Sequence, residues 1–269
     1  MRRTSRLQAA ASFALACLAG LVLSLAAPAA RAEGFDCPRA GIVSGDLRAD
    51  ALRKRLAKAQ PAYVLAIGSS STEGVGASGK SATYPARLEA DLRHAWPGAS
   101  ITVENAGIGG EKADATLQRL EDRLAAARYD MVIWQVGTND ALGKADPVAF
   151  QDMVRRGIAL ARDARVEIVL MNQQYFPGIK DIATYERFVA ALADVARDAG
   201  VPVLDRYSLM KGWRDESPAR LLAALSGDRF HMGDEGYACL AQLVAGDIAG
   251  AVGPAQALPV AGVALPPRN

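Results

Sequence analysis

Three consecutive serines, Ser69, Ser70 and Ser71, follow the apolar run Ala62–Gly68, and a histidine stands far downstream in "GDRFHMGDEGY". A serine hydroxyl is a weak nucleophile at neutral pH. It needs a base to take its proton, a group that orients the base, and donors for the oxyanion that forms on attack. The chain has two histidines. His94, in "DLRHAWPG", falls on an expected helix and reads as a surface or packing residue. His231 follows Asp228 by three residues, a spacing that brings both side chains to one side of a turn. The carboxylate can then accept from Nδ1–H and leave Nε2 free to act as base. Taken alone, Asp-x-x-His also fits a plain surface turn, and spacing does not select one of the three serines.

A second chemistry overlaps the first. Gly74–Ser81 (GVGASGKS) matches G-x-x-x-x-G-K-[ST], a loop that cradles phosphates. In such a loop the strand runs straight into the first glycine and the Lys-Ser opens a helix, so that N–H groups converge on the phosphates. Here "SSSTE" intervenes before Gly74, and Pro85 puts the helix start near Tyr84. The match therefore reads as chance in a Gly/Ser-rich loop, and no nucleotide partner is expected.

Alternating elements must position these groups. β-Branched runs predict buried strands over Ala62–Gly68, Ile101–Asn105, Asp130–Val136, Val166–Met171 and Val201–Leu204. Amphipathic stretches predict helices over Asp46–Ala59, Tyr84–Trp96, Ala113–Ala127, Pro147–Arg162, Ile182–Ala199 and Gly236–Ile248. Strand–helix alternation implies an α/β fold with a parallel sheet covered on both faces, and ligands bind outside the carboxyl ends of such strands.

The ends of the chain bear on compartment. Arg2, Arg3 and Arg6 precede an apolar run from Leu7 to Ala27, and Ala30-Arg31-Ala32 offers a small-x-small cleavage site. This order predicts a signal peptide over 1–32, an exported (periplasmic or secreted) protein, and a mature chain from Glu33. An uncleaved anchor and a lipoprotein through Cys17 fit less well. Cleavage removes four arginines and no acid, taking the net charge from +2 to −2. A near-neutral chain lacks the electrostatic footprint of a nucleic-acid binder, and no stable membrane insertion is expected once the leader is gone. Residues 33–61 are expected to form a segment and helix packed on the main domain, and the Pro/Ala-rich 251–269 a disordered tail. Cys37 and Cys239 would remain in an oxidising compartment, where pairing with each other and existence as separate thiols are both open.

Four blocks in order resemble those of the SGNH/GDSL hydrolases: Gly68-Ser69-Ser70-Ser71-Thr72-Glu73-Gly74, "NAGIGGE" with Gly110, Gly137-Thr138-Asn139-Asp140, and Asp228-Arg229-Phe230-His231. The resemblance spans about residues 62–250. It implies a three-layer α/β/α sandwich around a flavodoxin-like parallel sheet of about five strands. It also implies Ser70 as nucleophile, His231 as base, Asp228 as its orienting group, and an oxyanion hole from the Ser70 and Gly110 N–H groups and the Asn139 amide. Neither metal nor organic cofactor is implied. The residue types suit these roles: a glycine N–H can approach a substrate closely, and an amide donates without changing protonation. Ser69 replaces the family's usual aspartate, Met232 its usual proline after the histidine, and Glu111-Lys112 the commoner Asp-Thr. The first two substitutions are expected to alter the shape of the pocket mouth.

The expected function is that of an exported carboxylic ester hydrolase removing an acetyl or short-chain acyl group. An acyltransferase, or a lysophospholipase or thioesterase, would use the same site. A non-catalytic carbohydrate-binding protein is the reading from another class. Gln173, Gln174 and Tyr175, after the fourth strand, are expected at the pocket rim as substrate contacts. Amides and a ring there would suit a sugar, which places carbohydrate deacetylation ahead of lipid or arylester hydrolysis.

Overall fold

A computed structural model describes residues 35–253. The expected signal peptide, and residues 254–269 of the expected tail, lie outside the described residues; Ala251 and Val252, expected in that tail, instead end the last helix, Asp234–Val252.

Six strands form one sheet: β1 (Val43–Ser44), β2 (Ala62–Gly68), β3 (Ile101–Gly107), β4 (Met131–Gln135), β5 (Glu167–Met171) and β6 (Val203–Leu204). Their order is β1-β6-β5-β4-β2-β3. All neighbours are parallel except β1, which pairs antiparallel with β6. The helices are α1 (Asp50–Ala57), α2 (Ser70–Glu73), α3 (Tyr84–Ala95), α4 (Ala113–Ala126), α5 (Thr138–Leu142), α6 (Pro147–Asp163), α7 (Ile182–Ala199), α8 (Arg206–Glu216), α9 (Pro218–Ala224) and α10 (Asp234–Val252).

Alternate strand residues feed two cores. Val64 and Ala66 of β2 pack with Leu88 of α3, Trp213 of α8 and Leu240 of α10. Leu65 and Ile67 turn the other way, towards Leu117 of α4, Val154 of α6 and Leu192 of α7. From Val64 onward β2 is buried on both faces and must be apolar at successive positions, which is why "AYVLAIG" reads as a run rather than an alternation. The result is the three-layer α/β/α sandwich. The parallel strands follow the flavodoxin-like order, and the order reverses between β2 and β4, so the carboxyl ends of these two strands flank the crevice.

Strand β1 is an addition to the five expected strands. Two residues carry no periodicity; β1 is held instead by tertiary hydrogen bonds, with Ile42 and Val43 N–H donating to Asp247 Oδ2 at 2.9 and 3.0 Å. Helices α8 and α9 were not expected either. Helix α9 is only seven residues long, too short to display a helical period, and Pro218 starts it as a first-turn proline behind the Ser217 cap.

Cys37 and Cys239 form a disulfide that ties the segment before β1 to α10, with Cα atoms 5.3 Å apart. Cross-linking positions 202 residues apart contributes about 5 kcal/mol in the chain-entropy model, and commonly less. Reduction, or Cys37→Ser, should lower the melting temperature by about 10 °C while leaving activity intact. An unchanged melting curve, or two thiols titrating in unreduced denatured protein, would contradict the pairing.

Candidate active site

Ser69, Ser70 and Ser71 leave the end of β2 in three directions. The Ser69 N–H and hydroxyl both donate to Gln135 Oε1, at 3.0 and 3.2 Å, and Thr72 Oγ1 joins them at 3.2 Å. Ser71 Oγ donates to Gln174 Oε1 at 2.6 Å. Both of these serines are buried. Ser70, the first residue of α2, is half-buried, and its Oγ lies 2.9 Å from His231 Nε2.

His231 is the end of a hydrogen-bonded turn. Its Nδ1 lies 2.6 Å from Asp228 Oδ2. The other carboxylate oxygen accepts from Ser226 Oγ at 2.6 Å and from the N–H groups of Phe230 and His231, both at 2.9 Å. To close this turn Arg229 takes a left-handed φ of 56°, a strained state for a non-glycine residue. Burial alone would raise the Asp228 carboxyl, but the bonds from Ser226, His231 and the two backbone N–H groups outweigh it and hold it well below the usual carboxylate range. A depressed carboxyl contributes stability above its unfolded pKa of about 4 and loses it only as pH falls through the lower folded value. Asp228 thus keeps its charge below the pH at which an ordinary carboxylate would lose it. His94, by contrast, is exposed in the last turn of α3.

The loop after β3 brings Gly110 to the same place. Gly107 packs so tightly on α2 that a Cβ there would stand 1.9 Å from the Glu73 nitrogen. Four anchors then fix the loop. Gly109 N–H donates to Glu73 Oε2 at 2.7 Å. The Glu111 carboxylate pairs with Arg119, whose Nε is 3.0 Å away. Asn139 Nδ2 donates to the Glu111 carbonyl at 2.8 Å. The Asp140 carboxylate accepts from Ala113 N–H, which opens α4, at 3.1 Å; burial pushes that carboxyl up against the pull of the N–H. Between the anchors Gly110 sits at φ +81°, a conformation suited to glycine. The N–H groups of Ser70 and Gly110 have no protein partner among the described residues. Asn139 does not cap α5, since Gly137 occupies that position. One hydrogen of its amide holds Glu111, and the other has no acceptor among the described residues.

Several expectations need correcting. Gln173 and Gln174 are 0% and 1% exposed, so neither stands at the rim. Gln174 Oε1 holds Ser71, its Nε2 donates to the Phe230 carbonyl at 2.8 Å, and its own carbonyl accepts from Tyr185 OH. The Gln173 amide is buried without a partner among the described residues. Tyr175 is half-buried, edge-on to Tyr207 with centroids 5.8 Å apart. The polar stretch faces inward because the end of β5 is roofed by α7 and α8. Ser69 and Met232 are likewise buried and do not shape the mouth. The glycine-rich Gly74–Ser81 segment ends in a single 3-10 turn, Lys80–Ala82, before α3 starts at Tyr84; its Ser78 N–H donates to Asp234.

Positioning residues that sequence reading missed include Glu73, Arg119, Gln135, Asp140 and Ser226, while Gln174 was singled out for a different role. Only Glu73 and Asp140 fall within recognisable blocks. Among the described residues no three His, Cys, Asp or Glu side chains gather in a way that could hold a metal ion.

A family model described as the non-GDSL lipase-like family matches residues 40–254. Among solved structures, the chain is similar to a two-domain esterase (CEX) active on acetylated mannans, at 19% identity and TM-score 0.63, covering 80% of this chain and 57% of that one. It is also similar to TesA, at 22% identity and TM-score 0.60, covering 70% and 99%. A third is Axe2, an acetylxylan esterase from Geobacillus stearothermophilus, at 21% and 0.58, covering 70% and 94%. No curated protein matches. These likenesses and the family match bear out the resemblance to the SGNH/GDSL hydrolases and the fold that it implied.

Proposed function

The chain belongs to the non-GDSL lipase-like family, and from that premise we propose that it is a carboxylic ester hydrolase working through an acyl-enzyme on Ser70. The observation that carries this reading is the continuous relay Ser70–His231–Asp228, at 2.9 and 2.6 Å.

His231 Nε2 takes the Ser70 proton as Oγ bonds to the ester carbonyl carbon. The carbonyl electrons move onto oxygen, where the Ser70 and Gly110 N–H groups and the free hydrogen of the Asn139 amide receive the charge. As the tetrahedral species collapses, the alkoxy C–O bond breaks and the leaving oxygen takes the proton from Nε2. Water then adds to the acyl-enzyme and gives its proton to His231. Breakage of the Ser70 ester releases the carboxylic acid and returns the proton to the serine. Asp228 holds Nδ1–H throughout, so Nε2 faces the serine as the acceptor. Acetylated polysaccharides are the substrates of two of the structurally similar enzymes, which supports reading a carbohydrate ester as a substrate of this site. The leader-like residues 1–32 and the Cys37–Cys239 bond support export to an oxidising compartment; no described helix is long and apolar enough to cross a membrane.

A panel of nitrophenyl esters tests the reaction. Release of alcohol and acid in equal amounts is expected, with no requirement for an added acceptor. Alcohol release that depends on an acceptor would make the enzyme a transferase.

Gln174 supplies a further check. Its amide joins Ser71, beside the nucleophile, to Phe230, beside the base, and so sets the distance between the two. Gln174→Ala should lower kcat by about 10- to 100-fold, since small misplacements of reacting groups have effects of that size. KM should stay within about twofold, measured where the variant is fully folded. An unchanged kcat in folded protein would reduce Gln174 to a packing residue.

A further inference from the structure

A cavity of about 480 Å³ opens between the α5 turn that carries Asn139 and the loop that carries His231. Ala141 and Leu142 form one wall, Phe176 and Ile179 another, and Tyr185 and Phe230 complete it. Phe230 reaches from the catalytic loop into this space, its ring 4.4 Å from that of His231 and 4.6 Å from that of Phe176. The lining is chiefly carbon. Lys144, Lys180 and Asp181 also line it, and the Asp181 carboxylate is already engaged in capping α7 through Thr184 N–H. Leu142 is 44% exposed, an apolar side chain left in water at the lip of an apolar cavity.

Resting on the ester-hydrolase reading, we propose that this cavity holds the acyl chain of the substrate, and that the preferred acyl group is apolar and of medium length rather than acetyl. With the carbonyl oxygen in the Gly110–Asn139 corner and the leaving oxygen at His231 Nε2, the remaining substituent of the carbonyl carbon runs along α5 into the cavity. An acetyl group leaves nearly all of that space unfilled, whereas a chain of about eight carbons is of a size that pockets of this volume enclose. Each methylene removed from water adds about fourfold to transition-state binding.

The test has two arms. For p-nitrophenyl esters, kcat/KM should rise at least about tenfold from acetate to octanoate, and Leu142→Gln should cut that ratio several-fold. In the second arm, calorimetry on the Ser70→Ala variant should detect binding of octanoate but not of acetate, weakened by the added Leu142→Gln change. Rates that fall from acetate to octanoate, with no octanoate binding, would overturn the acyl-pocket assignment while ester hydrolysis stands. Octanoate binding by a protein that hydrolyses no ester would retain the pocket and remove the reaction. A preference for octyl acetate over ethyl acetate, without dependence on acyl length, would overturn the assignment by giving the cavity to the alcohol.

Discussion

Ser70→Ala is expected to lower kcat on an ester substrate by about a million-fold, leaving the residual acceleration that an oxyanion hole and binding supply alone. His231→Ala should lose a comparable factor. The double variant should be no worse than either single one, because a nucleophile and its base act as a unit. Ser70 is half-buried and, among the described residues, its hydroxyl bonds only His231, so the melting curve should hardly move. Ser69→Ala should behave in the opposite way, losing stability through Gln135 while keeping catalysis, and Ser71→Ala, which cuts the bond to Gln174, should lose stability and no more activity than Gln174→Ala does. His94→Ala should change nothing. Activity surviving in Ser70→Ala, or additive losses in the double variant, would break the relay as described.

Asn139 is expected to give the next largest effect. Loss of one oxyanion donor typically lowers kcat by about 100- to 1,000-fold, and Asn139→Ala also releases the Glu111 carbonyl. That second loss frees the loop holding Gly110, so the fall should reach or exceed the upper end of this range with KM little changed. Asn139→Asp is the sharper variant. It keeps the size of the side chain but has no hydrogen to donate to Glu111 and places a negative charge where the oxyanion forms. It should fold and be nearly inactive. Near-normal turnover in folded Asn139→Asp would remove the residue from the oxyanion hole.

The framework of this site was legible in the sequence, and its supports were not. Strand β2 and helices α3, α4, α6 and α7 follow from apolar runs and periodicity, because burial on one or two faces dictates residue type directly. The four blocks around Ser70, Gly110, Asn139 and His231 could be found because each lies within a few residues of a strand end or of the last helix. Which serine faces the histidine is a matter of side-chain direction in a single turn, and only the family register pointed to Ser70. The Gln173–Gln174 stretch was misplaced for a related reason. Two amides after a strand look alike whether they meet solvent or bridge Ser71 to Phe230, since their partners lie 103 and 56 positions away from Gln174. The apolar cavity was equally hidden, because Leu142, Phe176 and Phe230 come from three separate connections. Strand β1 and helix α8 depend on tertiary anchors such as Asp247 and leave little local pattern.

The central claim, that Ser70 is the nucleophile raised by His231, is tested most directly by covalent labelling. Incubation with diethyl p-nitrophenyl phosphate, followed by peptide mass spectrometry, should find one diethylphosphoryl group per chain. It should sit on Ser70, be absent from Ser70→Ala and form far more slowly in His231→Ala. An adduct on Ser69 or Ser71, or full loss of esterase activity with Ser70 unmodified, would contradict the account.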